Sequence, residues 1–274
     1  MQILLLLILT IAAHSEDIAL HMISVGADGG YRVAVDCNFP VPNSVCAVDT
    51  GSSDSTVGET PETLKYPTRK TVSSGSVGLT MTCDVIEVGD LAIGGLPMQP
   101  SSFERCKTLP TNFALLGLDV FGTRTIAFDF KNQVLQLDIV DLKPSQTLVR
   151  GGPENKWLTF TASIGSTNFF AAIDTGSPVS LADRAFVLAN PKYFRKSTLP
   201  PSAMQIRRQL DRYEILAPII VNGIELQAQF VDVGDLSQFS PNPSRRLDIL
   251  LGANHFAGTK WSFDLAHNLW AITR

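Results

Sequence analysis

The chain has 274 residues, 45% of them hydrophobic and 18% charged, with a formal net charge of −4. That length accommodates one large domain or two lobes around a sizeable core. The mild acidity and the lack of any Lys/Arg run argue against a nucleic-acid surface.

An apolar stretch from Ile3 to Ala13 follows Met1-Gln2. It is too short to span a bilayer as a helix and suits the apolar region of a secretory signal peptide, with Ala13-His14-Ser15 as the cleavage site. The expectation is a signal peptide over 1–15 and a soluble mature chain, secreted or lumenal, with no membrane segment after cleavage. A buried first strand or helix is the alternative. Strands are predicted at 18–25, 31–37, 44–48, 80–88, 125–130 and 134–139, from alternation or apolar content between Gly, Pro and Asn. Polar and Gly residues cluster between Pro144 and Pro153, which divides the chain into lobes over 16–146 and 147–274. The second lobe offers strands at 157–164, 169–173, 215–221, 224–231, 249–251, 260–265 and 269–273. Its best helical segment is 181–188. The expected class is all-β.

Four cysteines, Cys37, Cys46, Cys83 and Cys106, fit an oxidising compartment and allow three pairings. The simplest is local, Cys37–Cys46 across a hairpin and Cys83–Cys106. Each loop would contribute about 3 kcal/mol in the chain-entropy account. Cys46 as a free core thiol is the alternative. The His residues are scattered and none sits near a Cys pair, so no metal or cofactor is expected.

One phrase occurs twice: Asp49-Thr50-Gly51-Ser52 and Asp174-Thr175-Gly176-Ser177, each after a short apolar run. Each is followed downstream by Leu-Leu-Gly (Leu115-Leu116-Gly117 and Leu250-Leu251-Gly252), then by Phe121 or Phe256, then by Phe128-Asp129 or Phe263-Asp264. The spacing from that Gly to that Asp is the same in both copies. An ordered set of this kind marks an internal duplication. A single Asp-Thr-Gly reads as a solvated turn; two within a duplication point to two facing carboxylates.

Two carboxyls at close range cannot both ionise easily, so they share a proton. The ionised member can take a proton from a water while the protonated member donates to a carbonyl. Gly51 and Gly176 permit tight turns that bring backbone N–H groups to the carboxylates. Ser52 and Ser177 can donate to an outer carboxylate oxygen. Thr50 and Thr175 suit hydrogen bonds that cross between the loops.

These motifs resemble the pepsin-like aspartic peptidases, and the likeness covers nearly the whole mature chain. The resemblance implies a bilobal fold of two homologous, orthogonally packed β lobes with a central cleft. It implies Asp49 and Asp174 as the catalytic pair and an extended polypeptide as substrate. It also implies a flap hairpin matching residues 70–79, with Val72, Ser73, Ser74, Gly75 and Ser76 over the substrate. Val72 stands where the family carries a flap Tyr, and Thr56 where it carries a Trp. The nearby Tyr66 precedes the flap. No basic propeptide follows the expected signal. The leading expectation is a secreted aspartic endopeptidase. The runner-up is a catalytically weak or inactive relative acting as a binding protein or inhibitor. Both Asp loops lie in one chain, so a monomer is expected rather than a retroviral-type dimer.

Overall fold

The computed structural model describes residues 16–25, 30–41, 43–76, 79–109, 114–139, 142, 146–151, 157–201, 210–237 and 246–274. The expected signal segment and residues 77–78 of the expected flap lie outside these. The described chain is predominantly β-strand; its one α-helix, α1 (Arg184–Ala189), has six residues. Among the described residues no helix is long and apolar enough to cross a membrane.

The first half carries β1 (Glu16–Ala19), β2 (His21–Ser24), β3 (Tyr31–Cys37), β4 (Ser44–Val48), β5 (Ser55–Gly58) and β6 (Lys70–Ser76). It continues with β7 (Leu79–Val88), β8 (Ala92–Ile93), β9 (Leu96–Pro97), β10 (Ser101–Cys106), β11 (Ala114–Leu116), β12 (Thr125–Asp129) and β13 (Val134–Leu137). The second half carries β14 (Gln146–Thr147), β15 (Val149–Gly151), β16 (Trp157–Ile164), β17 (Thr167–Ile173), β18 (Leu181–Asp183) and β19 (Phe194–Lys196). Then come β20 (Asp211–Ile215), β21 (Ile219–Val221), β22 (Ile224–Leu226), β23 (Phe230–Gly234), β24 (Ile249–Leu251), β25 (Lys260–Asp264) and β26 (Leu269–Thr273).

The described residues form three sheets. One runs β6-β7-β10-β5-β11-β4-β3-β8-β9, with β2 on β3. Another runs β19-β20-β23-β18-β24-β17-β16-β21-β22, with β15 on β16. Strand for strand these are the same order, so the duplication in the sequence is a duplication of topology. The third sheet, β1-β13-β12-β25-β26-β14, takes three strands from each half and joins them through β12 and β25. An aromatic series runs along this joint: Phe128, Phe130, Phe256, Trp261 and Trp270 are successive ring neighbours, with centroids 5.0–6.0 Å apart. Phe160 packs on both tryptophans. Rings of this size bury large apolar surfaces, and all of these are buried.

Several expected segments are divided. The 18–25 strand breaks at buried Leu20: β1 pairs with β13 and β2 with β3, so the chain changes sheets there. The 181–188 segment starts as β18, and α1 begins only at Arg184. Asp183 caps it by accepting from the Ala185 and Phe186 amides. The 215–221 and 224–231 strands each split, into the end of β20 and β21, and into β22 and the start of β23. β14 straddles the expected lobe boundary and pairs with β26.

The disulfides are Cys37–Cys46 and Cys83–Cys106. Cys83 and Cys106 stand directly opposite on β7 and β10, with Cα atoms 4.4 Å apart, the spacing of a non-hydrogen-bonded antiparallel pair. Cys37 stands opposite Ser44 and reaches Cys46 diagonally over 5.9 Å. Both bonds fit an oxidising, non-cytosolic environment.

Candidate active site

Each Asp-Thr-Gly-Ser follows an inner strand, β4 or β17, that is flanked by the Leu-Leu-Gly strand, β11 or β24. The Asp49 amide donates to the Leu116 carbonyl at 2.9 Å, and the Asp174 amide to Leu251 at 2.8 Å. The loops therefore leave their sheets at matching places, because the Leu-Leu-Gly strand holds the first residue past each inner strand.

The two loops interlock. Thr50 N donates to Thr175 Oγ1 and Thr175 N to Thr50 Oγ1, both at 3.1 Å. The hydroxyls pass the bond on: Thr50 Oγ1 donates to the Ile173 carbonyl at 3.0 Å and Thr175 Oγ1 to Val48 at 2.7 Å. Both threonines are fully buried, so these bonds satisfy amides and carbonyls that water does not reach.

Beside this lattice the carboxyl groups of Asp49 and Asp174 lie within hydrogen-bonding reach of each other, and both residues keep a partly open surface. Asp49 Oδ1 accepts from the Gly51 amide at 2.8 Å. Asp174 Oδ1 accepts from the Gly176 and Ser177 amides, both at 3.0 Å. Each glycine makes room for the opposite carboxyl. A Cβ on Gly51 would lie 2.6 Å from Asp174 Cγ, and one on Gly176 would lie 2.3 Å from Asp49 Cγ.

The two acids are not equivalent. Burial raises the Asp174 carboxyl well above the usual carboxylate range, and the charge of Asp49 and the bond between the two raise it further. Burial also raises Asp49, but hydrogen bonds from Asp174 and from the Gly51 and Gly176 amides, together with the Arg32 guanidinium, pull it back. The pair titrates as a unit that shares a proton, with Asp174 the more strongly raised of the two.

Arg32, on β3, the strand that pairs with β4, acts on Asp49 through its guanidinium charge.

Ser52 and Ser177 depart from expectation. Their hydroxyls turn away from the carboxylates and donate to the Asp54 and Val179 carbonyls, both at 2.7 Å, closing the turn after each Asp. Ser177 still reaches Asp174 through its amide. The expected flap is a hairpin of β6 and β7, paired from Lys70 opposite Val85 to Ser76 opposite Leu79. It forms the edge of the sheet whose interior carries the Asp49 loop. Val72 is half-buried and Ser73 exposed; Ser74, Gly75 and Ser76 continue the same ladder. Thr56 is half-buried in β5, and Tyr66 lies before β6, its ring edge-on to Phe39 and its hydroxyl bonded to Asp90.

Sequence reading missed Ser55 with Asp119, and Ser180 with Asn254 and His255, which stand behind the two loops. The signal was present: both serines lie at the same offset from their Asp, and Asp119 and Asn254 at the same offset from their Gly. Burial pushes Asp119 up to about 6 and His255 down to about 3. Among the described residues no group of three or more His, Cys, Asp or Glu is placed to hold a metal ion. No protein-family model matches the chain, and no curated protein matches it.

Proposed function

We propose that the chain is an aspartic endopeptidase of the pepsin-like, bilobal kind, secreted and monomeric, which cleaves an extended polypeptide between its halves. The observation that carries this reading is the hydrogen-bonded pair Asp49–Asp174, held by threonines that cross between the loops. A water bound between the carboxyls attacks the scissile carbonyl carbon. Asp49 takes one proton from that water while Asp174 gives its proton to the carbonyl oxygen, leaving a gem-diol. The reverse transfers then break the C–N bond: Asp49 delivers its proton to the leaving nitrogen, and Asp174 recovers one from a diol hydroxyl. Neither a covalent intermediate nor a metal takes part. The amides of Gly51, Gly176 and Ser177 hold the carboxyls in place throughout, so positioning is built in before substrate arrives.

The direct test is digestion of an unfolded protein at about pH 3–5, with and without a pepstatin-type inhibitor. Cleavage should be blocked by the inhibitor, and kcat should fall by about 10³-fold or more in both D49N and D174N. Folded protein that cuts nothing across the pH range removes the reading. In that case, peptide binding that survives both substitutions supports the binding-protein alternative, for which the replacement of the flap Tyr by Val72 is the motive.

A further inference from the structure

Ser55 and Ser180 do the same work in the two halves. Each hydroxyl accepts the amide of the Leu-Leu-Gly glycine, at 2.9 Å from Gly117 and 2.8 Å from Gly252. The residue two places past that glycine then grips the serine. Asp119 accepts from Ser55 Oγ at 2.7 Å and from the Ser55 amide at 3.3 Å. Asn254 Oδ1 accepts from the Ser180 amide at 2.9 Å and from its hydroxyl at 3.1 Å. The turns that carry these residues also hold the Asp loops directly: Leu118 N donates to the Ser52 carbonyl at 3.0 Å, and Ala253 N to Ser177 at 2.8 Å. One latch is thus built twice, closed by a carboxyl in the first half and, in the second, by an amide together with the His255 ring, whose Nδ1 lies 2.6 Å from Ser180 Oγ. The Asn254 amide nitrogen is engaged elsewhere, donating to the Phe230 carbonyl at 3.0 Å.

We propose that Asp119 is a pH-sensitive positioning residue of the Asp49 loop: its neutral form seats the loop in acid and its ionised form loosens it towards neutrality, while Asn254 gives the Asp174 loop's seat no carboxyl to ionise. The effect on turnover rests on the peptidase reading; the effect on stability does not.

The surroundings favour the neutral form. Strand β5, packed against the Asp119 turn, carries no charged residue. On β10, the other strand packed there, Arg105 is bound to Thr63, Tyr66, Thr68 and Asp84, and Glu104 stands opposite Thr56. The charged neighbour that acts on Asp119 is the anion Asp54. Burial first and then that anion place the carboxyl at about 6, against the pull of its hydrogen bonds from Ser55 and the Val120 amide. A carboxyl raised in the folded state takes up its proton between its unfolded value, about 4, and about 6. The stability it contributes is complete below that window and is lost as pH rises through it.

The test measures the whole chain, native and D119N, each also in a D174N background, by ¹³C carboxyl titration, melting temperature and turnover against pH. Asp119 should titrate near 6. Between about pH 5 and 7 the native chain should lose roughly 5 °C more in Tm than D119N. The ratio of kcat at about pH 6.5 to kcat at about pH 4.5 should rise about tenfold in D119N, with KM within about twofold. An Asp119 midpoint near the ordinary carboxylate value, or native and D119N curves that run parallel, overturns the proposal. The native carboxyl titration decides even if D119N folds poorly. The two ideas separate in the native chain: an Asp119 that titrates and melts as described in a native chain that cuts nothing sinks the peptidase reading and leaves the latch standing, and the D174N chains show that the latch titrates without turnover.

Discussion

The two halves share a strand order but not a way of holding their buried charge. In the first half, β7 supplies the acid Asp84 and β10 the base Arg105, directly opposite each other. In the second, the corresponding strands carry the reverse, Arg212 on β20 and Asp232 on β23, again directly opposite. The two pairs are one residue out of step: Asp232 stands opposite Leu181, the counterpart of Thr56, whereas Arg105 stands opposite Val57, one residue further on, so each half has built its own cross-strand ion pair on the shared strands. The environments differ more than the distances. Arg212 and Asp232 are 2.8 Å apart with side chains 1% and 0% exposed, whereas Arg105 and Asp84 are 3.1 Å apart and 5% and 30% exposed.

That contrast sets the largest expected effect. D232A removes the carboxylate that accepts from two Arg212 nitrogens in a site closed to water, and should cost about 3–5 kcal/mol. D84A should cost about 1 kcal/mol, because Arg105 keeps the Thr63 and Tyr66 carbonyls and the Thr68 hydroxyl. Urea unfolding of the two variants measures the difference. Equal losses would mean that burial does not distinguish the halves.

Where the halves meet they should behave alike. T50V removes the acceptor of the Thr175 amide and the donor to the Ile173 carbonyl; T175V removes the acceptor of the Thr50 amide and the donor to Val48. Each leaves two buried polar groups unsatisfied, so each should lose about 2 kcal/mol or more, and the two losses should agree within about 0.5 kcal/mol. The double variant should depart from additivity, since the loops share one lattice. Two unequal single losses would show that one loop is held by something other than its partner.

The duplication was legible because its anchors are chemically loud. Asp-Thr-Gly-Ser and Leu-Leu-Gly recur with fixed spacing, and loops that must place a carboxyl, a glycine and a crossing threonine tolerate few other residues. The local disulfides were legible for a similar reason, since neighbouring strands bring both pairs together. Ser55, Asp119, Ser180 and Asn254 escaped notice because each alone is an ordinary turn residue; only superposing the two repeats lines them up. The change of sheet at Leu20 was hidden because an apolar run gives no sign of which sheet it pairs with. The serine hydroxyls after each Asp-Thr-Gly were misassigned because a carbonyl two residues on competes for the same donor and is nearer along the chain.

The finest asymmetry lies at the carboxyls themselves. Identical loops would give two interchangeable acids, and a shared proton would choose neither. Besides the hydrogen bonds within the loops, Arg32 on β3 acts on Asp49 from outside them. A cation near Asp49 favours its charged form. Arg32 itself is held below the ordinary guanidinium range by burial, offset by the charge on Asp49, so the attraction is mutual. R32Q removes the cation and keeps a polar side chain. With it gone, the Asp49 carboxyl should rise and its ionised form should first appear at higher pH; on the peptidase reading, the acid limb of kcat/KM should then move towards neutrality. The alkaline limb, set by loss of the proton on Asp174, should move less. Profiles of the native and R32Q chains on one peptide measure both limbs. An acid limb that stays in place, or moves to lower pH, would show that the role of base is assigned to Asp49 by the backbone amides of the loops and not by Arg32.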